Sequence, residues 1–285
     1  MKIMITGASG QLGKCLQDAL ANTEHEWLAV GRSDLDITRA SDVDQVVARA
    51  KPDVIINAAA YTAVDKAEAE PDHAFNANSH AVANLVEAAD TVGALLIHVS
   101  TDYVFDGRSK RPYLETDTVN PMGVYGKSKL AGEREAQRAQ RHIIVRTAWV
   151  FSEYGSNFLK TMVRLGRERD SLSVVNDQIG TPTYAGDLAA ALTNLALRQP
   201  ENGIYHYCGG EPCSWYDFAQ AIFNTCNELS ADFSPPTITP ISSAEFPTPA
   251  KRPAFSVLDG SKLKRATGVE VGDWVGALRN VCSKA

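Results

Sequence analysis

No apolar run in the 285-residue sequence approaches the roughly 20 residues that a membrane-spanning helix requires. No membrane partner is expected. Positive charge is also in short supply, because 28 Lys and Arg, scattered along the chain, stand against 34 Asp and Glu for a formal net charge of -6. That balance argues against nucleic acid as a partner. Cysteine is sparse: Cys15, Cys208, Cys213, Cys226 and Cys282 are odd in number and never spaced Cys-x-x-Cys. Neither a disulfide frame nor a zinc site follows, and buried reduced thiols are expected. The histidines stand singly, without the spacing of metal ligands. The opening Met1 to Gly7 breaks into glycine too early for a secretory signal, so a cytoplasmic location is expected.

What is present has a clear order. Lys2 to Thr6 is a short apolar run, and Gly7-Ala8-Ser9-Gly10-Gln11-Leu12-Gly13 leads into a helical pattern carried by Leu12, Leu16, Ala19 and Leu20. A strand, a glycine turn and a helix in that order suit a dinucleotide, since the turn lets backbone approach a pyrophosphate at the helix start. An ordinary tight connection can share the spacing, and its place at the first strand favours the cofactor reading. Trp27 to Val30 reads as the second strand. It ends in Gly31-Arg32-Ser33-Asp34, where a cation suits the 2′-phosphate of NADPH, while Asp34 could still serve the ribose of NADH. Asp36 could cap a turn or the helix expected to begin near Arg39.

Val54 to Asn57 is a continuous apolar strand of the kind buried on both faces of a parallel sheet. It ends in Ala58-Ala59-Ala60-Tyr61-Thr62, small residues that leave room for a flat ring or a ribose. A long helical pattern from Pro71 to Val92, interrupted by the polar Asn78, leads to a fourth strand at Leu95 to Val99. Ser100 and Thr101 then bring hydroxyls to the same carboxyl edge. Arg111 to Pro121 is polar and turn-rich, a candidate lid, and a helix beginning near Pro121 carries Tyr125 and Lys129. Four residues apart on a helix, these side chains share a face. A phenol can protonate a developing alkoxide, and a nearby ammonium is expected to lower its pKa.

Ile143 to Thr147 supplies a fifth strand, and the order βαβαβαβαβ predicts a doubly wound parallel sheet of Rossmann type. Residues 1–150 form the expected dinucleotide-binding core, with contributions from about 180–207, and 151–285 mainly a smaller C-terminal substrate-binding α/β region. Helices are expected at Gly186 to Arg198 and Trp215 to Glu228, with a strand at Ile204 to Tyr207. Beyond them a proline-rich segment contains Lys251-Arg252, which could bind a diphosphate or sit in a solvated loop.

Several dispersed motifs fall in one order: Gly7-x-x-Gly10-Gln11-Leu12-Gly13, Asn57 to Asp65, Ser100 to Gly107, Tyr125-x-x-x-Lys129, Arg146 to Val150, and Arg252-Pro253. On these the sequence resembles the extended short-chain dehydrogenase/reductase superfamily and, within it, the dTDP-4-dehydrorhamnose reductases. The resemblance implies NADPH-dependent reduction of a dTDP-4-keto sugar, dTDP-4-dehydro-L-rhamnose, to dTDP-L-rhamnose for cell-surface polysaccharide. It implies Tyr125 as proton donor, Lys129 on the nicotinamide ribose and Thr101 on the substrate carbonyl. Gly10, Gln11, Leu12, Asp36, Ile37, Ala58, Ala59 and Ala60 would line the cofactor, and Gly7, Gly13, Arg32, Tyr61, Asn78 and Ser100 complete that expected set. Thr62, Val64, Asp102, Tyr103, Trp149 and Asn157 would join Thr101 around the sugar.

Related nucleotide-sugar dehydratases follow the active-site Thr with Asp-Glu, whereas Asp102 is followed here by Tyr103, which favours carbonyl reduction over water elimination. An epimerase or other nucleotide-sugar reductase, and a non-catalytic NADP-binding regulatory subunit, share parts of the motif set. Some members of the resembled family are Mg2+-dependent homodimers bridged by acidic side chains, one on the first helix. Cys15 stands where that acid is sought and Asp187 lies near a second place, so a homodimer is expected and no Mg2+ ligand is assigned.

Overall fold

The computed structural model describes residues 1–21 and 23–284. Six parallel strands form the central sheet: β1 (Lys2–Thr6), β2 (Glu26–Val30), β3 (Val54–Asn57), β4 (Leu95–Thr101), β5 (His142–Thr147) and β6 (Gly203–His206), in spatial order β6-β5-β4-β3-β1-β2. Side chains alternate across a strand, so each apolar run feeds two cores. Ile3, Ile5, Val54, Ile56, Ile97 and Val145 face α1 (Gln11–Ala21) and α5 (Ala185–Arg198). Met4, Ile55, Leu96 and Ile144 face the opposite layer, with Val43 and Val47 of α2 (Ala40–Ala50) and Val82 and Leu85 of α3 (residues 71–92). Both faces are covered, which is why the strands read as unbroken apolar runs. Among the described residues no helix is long and apolar enough to cross a membrane.

Helix α3 runs as Pro71–Phe75, one π turn at Asn76–His80, and Ala81–Val92. The π turn is where α4 (Val124–Ala136) packs: a Cβ on Gly132 would run into the carbonyl of Asn78. The chain crosses from β1 to β2 in one direction and from β3 onward in the other, so the sheet's switch point lies between β1 and β3. Ligand clefts in such sheets open there, at the carboxyl edge. At the opposite edge α2, α3 and α5 end in left-handed residues, Lys51, Gly93 and Gln199.

Residues beyond β5 also build a separate apolar core. Helices Phe158–Glu168, Trp215–Leu229 and Trp274–Cys282 enclose Phe151, Leu159, Phe218, Ile222 and Leu278. The proline-rich stretch is extended as expected, with Thr237–Ile241 pairing in parallel with Ser171–Val175. Two local expectations change. Helix α4 starts at Val124, capped by Gly123, because Glu68 accepts from the Val124 N–H at 2.8 Å and fixes the first turn there. The 111–121 segment is no free lid: Tyr113 is buried, stacks on Phe105 at 4.1 Å, and its N–H bonds the Val257 carbonyl. All five cysteines are buried as free thiols.

Candidate active site

Two clefts, each of about 570 Å³, meet at the carboxyl edge. The first has a floor of glycine and alanine at Gly7, Gly10, Ala58, Ala59 and Ala60, with Arg32, Asp36, Ile37, Tyr61, Lys66, Glu70 and His73 also lining it. Gly7 adopts φ 73°, and a Cβ there would stand 2.7 Å from the Ala59 nitrogen. The wall between β1 and β3 therefore closes only around glycine. Gly13 does not line the cleft. It lies inside α1 where a Cβ would strike the Gly7 carbonyl, so it lets the helix sit on the turn that forms the mouth.

Arg32 is exposed on the rim of this cleft, whereas Asp34 is engaged in accepting from the Gly31 N–H at 2.9 Å. Asp36 caps its own turn: Oδ1 accepts from the Thr38 N–H at 3.1 Å and from the Thr38 hydroxyl at 2.7 Å. Those bonds hold its carboxyl below the usual range. The following helix is left with Arg39 as an N-cap lacking a side-chain bond.

The second cleft is lined by Gln11, Leu12, Thr62, Val64, Ser100, Thr101, Asp102, Tyr103, Tyr125, Lys129 and Trp149. Tyr125 and Lys129 project from α4 towards the end of β4, where Ser100 and Thr101 are the last strand residues. Thr101 donates to Asp102 Oδ1 at 2.9 Å, and its hydroxyl acts on the neighbouring Tyr125 phenol to lower its pKa against burial. Lys129 is buried and donates to the Val99 carbonyl at 2.6 Å.

The electrostatics differ from the sequence expectation. Burial holds the Tyr125 phenol above the ordinary tyrosine range, and the Lys129 ammonium beside it is turned to the Val99 carbonyl. Burial also brings Lys129 down to about 8, against an opposing pull from Glu133. Asp102 rises to about 6 for the same reason, with Thr101 pulling the other way. Tyr103 packs edge-on to Tyr125 at 5.5 Å.

Two expected contacts take other roles. Asn78 lines neither cleft. Its side chain accepts from the Tyr61 N–H at 2.8 Å and donates to the Tyr61 carbonyl and Ser128 hydroxyl, both at 3.0 Å, tying the loop after β3 to α3 and α4. Asn157 caps helix Phe158–Glu168 by accepting from Lys160 N–H, and donates to the Ser152 carbonyl at 2.7 Å. It lines a neighbouring cavity that shares Gly155 and Ser156 with the cleft, and donates to the cleft-lining Gln11 Oε1 at 3.3 Å.

Trp215, assigned no role from the sequence, and Arg252, left there between a diphosphate contact and a solvated loop, complete the second cleft. Trp215 lines it, stacked on Trp149 at 3.5 Å with 7° between the rings. Trp149 has φ 47°, and a Cβ on Gly180 would collide with its indole. Arg252 lines the cleft too, paired with Asp65 at 2.7 Å and bonded to the Tyr103 hydroxyl at 3.3 Å, so it is not a solvated loop residue. Position at the start of a helix was the only mark on Trp215. Glu133 had a usable signal, for it continues the Tyr125 and Lys129 face by one more turn.

Among the described residues no three His, Cys, Asp or Glu side chains gather as a metal site. Cys15 is buried on α1, and Asp187 lies in a different cavity beside Asp273. The donors sought for Mg2+ are not assembled among the described residues of this chain.

The family model described as the RmlD substrate binding domain matches residues 1–285. The chain belongs to the RmlD family. A curated relative from Aggregatibacter actinomycetemcomitans, named dTDP-4-dehydrorhamnose reductase, is 48% identical over 288 residues, covering 98% of each chain. A solved dTDP-4-dehydrorhamnose reductase from Clostridium acetobutylicum superposes with a TM-score of 0.94 at 43% identity, covering 99% of both chains. One from Bacillus anthracis, solved in complex with NADP, gives 0.94 at 39% identity, covering 100% of this RmlD-family chain and 99% of its own.

Proposed function

We propose that this protein reduces dTDP-4-dehydro-L-rhamnose to dTDP-L-rhamnose with NADPH, the step that yields an activated sugar for cell-surface polysaccharide. The observation that carries the reading is the convergence of Thr101, Tyr125 and Lys129 in a cleft continuous with the glycine-lined one. The family and the NADP-bound relative support the cofactor. So does the chain's own cradle, a glycine wall with no room for Cβ and a rim arginine in place to meet a 2′-phosphate.

The chemistry a bound NADPH supplies is a hydride to C4 of the keto sugar. Thr101 orients the ketone through its hydroxyl, and Tyr125 gives its proton to O4 as negative charge develops there. A phenol raised by burial stays protonated until that moment, so its proton is in place when charge develops on O4. Lys129 holds positive charge under the phenolate left behind and offers its remaining N–H bonds to the nicotinamide ribose. Thr62, Val64, Asp102, Tyr103 and Trp149 shape the sugar pocket, and Trp215 and Arg252 extend it towards the nucleotide. Residues 1–150 with about 180–207 act as the dinucleotide-binding core and 151–285 mainly as the substrate region. Family resemblance supports a cytoplasmic homodimer.

The test is loss of NADPH absorbance with a panel of 4-keto sugar nucleotides. Oxidation with dTDP-4-dehydro-L-rhamnose and accumulation of dTDP-L-rhamnose are expected. Tight NADPH binding with no oxidation on any member would leave a regulatory subunit as the better reading, and epimerised keto sugar would point to an epimerase.

A further inference from the structure

Beneath the catalytic cleft lies a buried ion pair that the mechanism above does not use. Glu133 and Arg146 are 1% and 2% exposed. Arg146 grips the carboxylate in two places, Nε to Oε1 at 2.8 Å and Nη2 to Oε2 at 2.7 Å. Ser100 adds a bond from its hydroxyl to Oε1 at 2.5 Å. Arg146 is itself fixed on its other sides, 5.1 Å over the Phe105 ring and 3.5 Å from His206 Nε2. Burial keeps His206 neutral, down to about 3, and its Nδ1 lies 3.0 Å from the Tyr113 carbonyl. Arg146 can then donate to Nε2 while Nδ1–H donates to Tyr113.

Buried ion pairs are weak sources of stability, because desolvation offsets most of their attraction. A bidentate pair placed under the reacting groups calls for another role. Tyr125, Lys129 and Glu133 occupy successive turns of one face of α4. Arg146 comes from β5 and Ser100 from β4, beside Thr101. We propose that Glu133, clamped by Arg146 and Ser100, is a positioning residue for the reduction: it registers α4 against the ends of β4 and β5 and supplies the negative charge that keeps Lys129 an ammonium. The inference rests on the assignment of Tyr125 and Lys129 given above.

Because Arg146 and Ser100 hold the carboxylate, Glu133 attracts Lys129 without capturing it, and the ammonium bonds the Val99 carbonyl instead. The groups that bear on Lys129 are Glu133 of its own helix and His98 of β4; Tyr125 and Asp102 line the same cleft, and Arg146 of β5 holds the Glu133 carboxylate. The π turn of α3 presents Asn78 and Ser79, which carry no charge. His98 is neutral, its pKa held well below the usual range by burial. Glu133 is thus the buried anion on Lys129's own helix, and Arg146 the cation that tempers it.

Opposite charges within a few ångströms shift a pKa by about 1–3 units. The full-length enzyme is assayed with NADPH and the keto sugar nucleotide across pH 6 to 10. Glu133→Gln is expected to move the basic limb of kcat/KM to lower pH by about one unit and to lower kcat about 10-fold. Arg146→Met leaves the carboxylate facing Lys129 alone and is expected to move that limb upward. Glu133→Asp, which keeps the charge, returns the limb towards the parent position. Coincident profiles, or shifts of the same sign in the E133Q and R146M proteins, overturn the proposal, since simple loosening of the fold gives no opposite displacements. Should both variants fail to fold, Ser100→Ala removes only the hydroxyl on Glu133; an unmoved limb there overturns it equally. An inactive parent enzyme that binds NADPH defeats the assignment of function instead.

Discussion

The two clefts at the sheet's carboxyl edge are equal in volume and are built in different ways. The cofactor cleft takes its floor from backbone and small residues, Gly7, Gly10 and Ala58 to Ala60, with the exposed Arg32 among the longer side chains that also line it. The catalytic cleft is walled by side chains whose charges are buried: Lys129, Asp102 and, one layer deeper, Glu133 and Arg146. A backbone wall selects a ligand by what cannot fit. A wall of desolvated charge changes what its own groups do, lifting Tyr125 and Asp102 and lowering Lys129.

That contrast can be broken by substitution. The largest effect is expected from Tyr125→Phe, which removes the proton and leaves the shape, so turnover falls about 10²- to 10⁴-fold while NADPH affinity by fluorescence titration stays within about 2-fold. Undiminished turnover would take the phenol out of the reaction. A smaller effect belongs to the other cleft. Arg32→Ala should weaken NADPH about 10-fold, the worth of one charge-assisted bond on an exposed rim, and NADH hardly at all. Equal losses for both cofactors would show that Arg32 does not read the phosphate.

The same contrast explains what the sequence disclosed. Strands built from apolar runs, the glycine turn and the Tyr125/Lys129 spacing are local patterns, and each lies where it was expected. Asn78 and Asn157 make bonds within the protein that the sequence did not show, since neither polarity within an apolar stripe, for Asn78, nor resemblance, for Asn157, says which protein groups a side chain will meet. Asn78 found the Tyr61 backbone, and Asn157 a helix end. Trp215 and Arg252 reach the cleft from far beyond β5 in the chain, a closeness that only tertiary packing creates. The sense of the pKa shift on Tyr125 was missed for a related reason. Spacing places an ammonium on the same face, but the Val99 carbonyl that claims it comes from another element, β4.

Every group implicated in binding or proton transfer sits at one end of the strands, whereas Lys51 closes α2 at the other with φ 46°, its side chain in solvent. A left-handed residue with a Cβ is held there at some strain, which glycine relieves. Lys51→Gly should raise the melting temperature by about 2 °C, for about 0.5–1 kcal/mol, with kcat and KM unchanged. Heat tolerance and turnover can on this view be tuned separately, by working opposite ends of the same six strands.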